Sequence, residues 1–157
     1  MTILPSELLI PWNGKGFRPR SMAAGDVSYF CPTKEMVEND LYPNFRKWLA
    51  ALNLGKWYHK WDCDNFAMAF KTFADGYYFN NIESDAESIA IGIIHYIAQA
   101  RAESGVKGAH AINILYLNDG KNELGLDKFK VMYLEPQNGN IYELSEEEFK
   151  SIFFLYV

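Results

Sequence analysis

The spacing of apolar residues changes character once along the chain, near Gly76, and that change limits the folds open to it. Before it, Met36, Val37, Leu41, Phe45, Trp48, Leu49 and Leu52 recur at helical intervals, as do Cys63, Phe66, Ala67, Phe70, Phe73 and Ala74. Each stripe needs a surface to lie against. From residue 77 onward the chain reads mainly as strand: Ile89 to Ile97, Ala109 to Leu117, Phe129 to Glu135 and Ile152 to Val157. Helices first and an antiparallel sheet afterwards predict an α+β domain, with N-terminal helices packed on a C-terminal sheet.

Local signals set the boundaries. Thr33 caps a first helix reaching about Asn53, which Pro43 kinks or divides. Asp62 caps a second, and Gly76 stops it. Over Ile89 to Ile97, Ser84, Glu87 and the following alanines also permit a helix. Asn138-Gly139 is a hairpin turn, and Ser145 with Glu148 forms a capping box for one short helical turn. Residues 1–32 carry Pro5, Pro11, Pro19 and Pro32 among Gly14, Gly16 and Gly25. They read as an irregular segment lying across the body, pinned by Trp12, Phe17, Tyr29 and Phe30.

Length and charge exclude several classes. A chain of 157 residues is the size of one domain, taken as 1–157. Fifteen Lys and Arg against twenty Asp and Glu give a net charge of −5 with no basic block, which argues against nucleic acid. No apolar run approaches the roughly 20 residues needed to span a bilayer, so no membrane partner is expected. Two cysteines, Cys31 and Cys63, are too few for a disulfide framework. With no signal-like start, they predict free thiols in a cytoplasmic setting. Aromatic residues make up 16% of the chain, enough for a large core and an aromatic-lined groove. Oligomeric state is not legible.

Three elements could carry chemistry. Cys63 follows the Asp62 cap, so it sits where unpaired N–H groups favour an anion and a thiol becomes a usable nucleophile. The same position heads an apolar stripe, which equally describes a buried core cysteine, and Asp62 and Asp64 oppose a thiolate. His110 alternates with Ile112, Ile114 and Tyr116 on one strand face, between the small residues Ala109 and Ala111. His59 and His95 read as structural. If loop 118–128 joins its strands symmetrically, His110 faces Gln137 and Ile112 faces Glu135. Either polar residue could then hold the imidazole. A thiol at a helix start, a strand histidine and a polar group on the next strand follow the logic of a Cys-His-acid triad.

Cys63-Asp64-Asn65-Phe66-Ala67, Gly108-Ala109-His110-Ala111 and Tyr133-Leu134-Glu135-Pro136 together resemble the three motifs of the transglutaminase-like branch of the papain-like cysteine peptidases. The likeness covers residues 57–144. It implies a papain-like fold, Cys63 as nucleophile, His110 as base and Glu135 as orienting group, with Gln137 as the alternative. The acid is Glu where that family usually has Asp. The expected activity is thiol-dependent acyl transfer on a peptide or amide substrate, as a peptidase, amidase or transglutaminase-type enzyme. The Cys63 N–H and the Trp61 indole are the candidate oxyanion donors. The alternative is a non-catalytic binding module using Trp57, Tyr58 and Trp61 as a contact platform. No phosphate-binding glycine loop, paired CxxC or HExxH occurs, so neither cofactor nor metal is expected. His59, Asp62 and Asp64 have only weakly suggestive ligand spacing.

Overall fold

The computed structural model describes residues 1–15, 18–100 and 102–157. Two short strands, β1 (Thr2–Ile3) and β2 (Ser21–Ala23), flank a 3-10 turn at Glu7–Trp12, and β3 (Tyr29–Phe30) follows. Then come α1 (Lys34–Met36), a π-helical turn (Val37–Leu41), α2 (Tyr42–Ala51) and the long α3 (Cys63–Asn81). The second half holds β4 (Ser88–Ile89), β5 (Ile91–Ala98), β6 (Gly108–Lys121), β7 (Asp127–Leu134), β8 (Ile141–Tyr142), α4 (Glu146–Lys150) and β9 (Phe154–Tyr156).

The large sheet runs β2-β9-β5-β6-β7-β8, and a small one runs β1-β3-β4. β6 lies near its centre and is buried on both faces, which is why its sequence is an almost unbroken apolar run. One face, with Ile112, Ile114 and Tyr116, packs on Leu8, Trp12 and Tyr29 of the N-terminal segment. The other, with Leu115 and Leu117, packs on Phe45, Leu49, Phe66 and Phe70 of the helices. Burying each of these large side chains contributes about 1.5–3 kcal/mol. The sheet is thus a middle layer between two apolar coverings.

That arrangement corrects the expected papain-like α+β architecture of N-terminal helices on a C-terminal antiparallel sheet. The described residues form nine strands alongside the helices, and both sheets take strands from the first 32 residues. β2 pairs with β9, and β3 with β4, in parallel. Strands of two or three residues have no periodicity to read, and their pairing is decided by distant backbone. Trp12 and Tyr29 do anchor the first segment in the core, whereas Phe17 lies outside the described residues.

Two helix expectations also change. Pro43 does not divide its helix. Its missing N–H is absorbed by the preceding π-helical turn, in which the Tyr42 N–H bonds back to Val37. Gly76 does not end α3, which continues to Asn81. Residues 91–98 are strand. The β6–β7 ladder keeps the expected register from Asn113 opposite Leu134 to Asn118 opposite Phe129; beyond an irregularity the pairing resumes one residue out of step at Lys121 and Asp127, so the loop is shorter.

Candidate functional site around Cys63

Asp62 opens α3 with extended backbone, and its N–H donates to Asn65 Oδ1 at 3.2 Å. Cys63 is therefore the first helical residue. It is a free thiol, half-buried against Ala67, Ile93 and Ala111. Asn113, buried in β6, donates from its amide to Ala67 O at 2.9 Å and Gly92 O at 3.1 Å, pinning this end of α3 to the sheet. An asparagine inside an otherwise apolar strand is the sequence signal for that role.

His110 is 3% exposed and Glu135 1% exposed. His110 Nε2 lies 2.6 Å from Glu135 Oε2. Burial alone would lower the imidazole pKa. Hydrogen bonds to Cys63 and Glu135, with the charges of both, outweigh it and raise the value to about 9. In the protonated form Nε2–H donates to the carboxylate. The structure thus brings Cys63, His110 and Glu135 together. Gln137 takes a different place: its backbone N–H donates to Glu135 Oε1 at 3.3 Å. Pairing between β6 and β7 stops at Leu134, so Glu135 begins a turn in which Gly139 N donates to Glu135 O at 2.8 Å.

The aromatic loop ends at the thiol. Tyr58 and Trp61 pair through backbone hydrogen bonds of 2.9 and 2.8 Å, making a tight turn one residue before the cap. Trp57 and Tyr58 are exposed. Trp61 packs edge-on against Phe66, and its Nε1 is buried without a partner among the described residues. His59 lies against Trp57, with ring centroids 5.5 Å apart and planes tilted by 57°. His95 lies between Phe153 and Phe154, where burial lowers its pKa.

Among the described residues, Asp62, Cys63 and Asp64 bring ligand atoms within 4.8 Å of one another, without His59. The two carboxyls hydrogen-bond each other, which pushes Asp62 up and holds Asp64 down. A cavity of about 660 Å³ between Lys15, Tyr133, Glu143 and Lys150 is lined by none of the site residues.

No family model and no curated protein matches the chain. Solved structures do. One, described as a complex of PSL1a with E64, has a TM-score of 0.68 at 19% identity, covering 99% of this chain and 50% of that one. Another is Polyporus squamosus lectin bound to the human-type influenza-binding epitope Neu5Acα2-6Galβ1-4GlcNAc. Its TM-score is 0.59 at 21% identity, covering 87% of this chain and 42% of that one. The chain spans about half the length of the chains it matches, and the likeness is one of fold. It overturns the transglutaminase-like, papain-like assignment drawn from the three motifs. With it go the expected acyl-transfer activity, the thiol-protease reading and the peptide or amide substrate. Short motifs describe how a helix start, a strand and a turn meet, and the same meeting can serve different functions. Among the described residues no helix is long and apolar enough to cross a membrane.

Proposed function

We propose that the chain is a binding module for carbohydrate, with Trp57, Tyr58 and Trp61 as its contact platform. The observation that carries this reading is a pair of exposed aromatic rings on a rigid turn: Trp57 and Tyr58 are 52% and 56% exposed. Flat rings of this kind bury the C–H face of a sugar at little entropic cost. Support comes from a lectin structure that shares the fold and is bound to a sialylated trisaccharide. Cys63, His110 and Glu135 are proposed as the reactive group beside the platform. Cys63 is the nucleophilic thiol, His110 its proton partner and Glu135 the orienting carboxylate, which Gln137 steadies through its backbone. A reducing, cytoplasmic setting would keep this thiol free.

Two measurements test the reading. Tryptophan fluorescence titrated with Neu5Acα2-6Galβ1-4GlcNAc should give a saturable change that Trp57→Ala abolishes and Cys63→Ser retains. No saturation at millimolar sugar, or unchanged binding in Trp57→Ala, refutes the platform. Iodoacetamide should alkylate Cys63 at least about tenfold faster than Cys31, which is 1% exposed and whose thiol burial pushes up to about 12. Equal rates would refute the role given to Cys63.

A further inference from the structure

Between the platform and the buried His110–Glu135 pair stands a residue that neither motif nor periodicity singles out. Arg46 lies on α2, half-buried. Its Nη2 donates to Gly55 O at 3.2 Å, two residues before Trp57. Its Nη1 donates to Gln137 O at 3.2 Å, in the turn that begins with Glu135. One rigid guanidinium therefore spans the two loops that carry the platform and the carboxylate. From there Gln137 N donates to Glu135 Oε1, Glu135 Oε2 lies 2.6 Å from His110 Nε2, and the imidazole in turn interacts with Cys63.

A second residue on the same helix face makes the seat firm. Tyr42, one turn before Arg46, lies beside it on the same helix face. A Cβ on Gly139 would lie 2.3 Å from the Tyr42 ring, so the turn rests directly on that ring. The turn after Glu135 is thus seated on α2 by both the Tyr42 ring and the Arg46 guanidinium. Both Arg46 bonds go to backbone carbonyls, so what they fix is the path of the two loops and not the rotamer of a partner.

We infer that Arg46 is the positioning residue that couples the aromatic platform to the His110–Glu135 pair, so that displacement of the 54–58 loop is felt at the thiol. The inference rests on the proposed site at Cys63. A lysine here keeps the charge but offers one compact ammonium in place of the planar fork whose Nη1 and Nη2 reach the two carbonyls separately.

The test compares wild type, Arg46→Lys and Arg46→Ala. In Arg46→Lys, amide exchange at residues 54–58 and 136–139 should rise together, at least threefold. His110, followed by NMR titration, should titrate at least half a pH unit lower. Iodoacetamide labelling of Cys63 should slow at least threefold, while the thermal midpoint moves by only a few degrees. Arg46→Ala should do the same or more; if it does not fold, Arg46→Lys carries the test. Unchanged His110 titration and labelling in Arg46→Lys overturn the inference, whether or not the loops loosen. Wild-type values in Arg46→Lys with altered ones in Arg46→Ala also overturn it, because charge alone would then suffice. Sugar binding and the ratio of Cys63 to Cys31 labelling, both measured in wild type without any Arg46 variant, report on the proposed function separately.

Discussion

Replacing Glu135 by Gln removes one charge from a buried pair while keeping its size and much of its hydrogen bonding. The His110 pKa lies near 9 against an ordinary 6.5. At about 1.4 kcal/mol per pH unit, that rise is a preference of roughly 3 kcal/mol for the charged imidazole. Burial opposes it, and the bonds and charges of Cys63 and Glu135 supply it. With the carboxylate gone, burial meets only Cys63, and the His110 pKa should fall by at least about one pH unit, or about 1.4 kcal/mol. The sign for stability follows from linkage. A histidine whose folded pKa is raised stabilises fully below 6.5, and that stability is lost as pH rises towards about 9. Wild type should therefore lose unfolding free energy between those two values, and Glu135→Gln should lose less. Proton–carbon NMR titration of the three histidines gives the pKa directly, and urea unfolding at pH 6, 7.5 and 9 gives the stability. If His110 titrates alike in both proteins, or below 6.5 in wild type, the reasoning is refuted.

Two further changes probe the scaffold that presents this pair. A Cβ on Gly92 would lie 2.4 Å from the backbone oxygen of Tyr156 and 2.8 Å from Val157 Cγ2, so Gly92→Ala must push β9 away from β5. A cost of about 3 kcal/mol would lower the thermal midpoint by roughly 6–12 °C, and a change under about 2 °C would contradict it. Asn113→Ala removes the donor to Ala67 O and Gly92 O, but also an amide oxygen that is buried without a partner among the described residues. The net loss in urea unfolding should be about 1–2 kcal/mol, with faster amide exchange in the first turns of α3; a loss below about 0.3 kcal/mol would show that Asn113 does not hold the helix.

What the sequence determined by itself was local. Asp62 followed by an apolar stripe sets where α3 begins, because capping and periodicity act over a few residues. A symmetric loop sets the β6–β7 register, and strand parity puts His110 and Glu135 on one face. Everything that joins distant segments was decided by the tertiary structure. The strands of residues 1–32 exist only because β9 and β4 offer them edges. Glu135, not Gln137, meets His110 because the ladder stops at Leu134 and the chain turns. Arg46 reaches Gln137 across 91 positions of sequence, a contact with no local signature. The three motifs around Cys63, His110 and Glu135 were legible as geometry, yet the family read from them was not the one whose fold the chain shares. Short motifs are set by the few residues that must meet, whereas the covering strands and the loop beside the thiol come from packing along the whole chain.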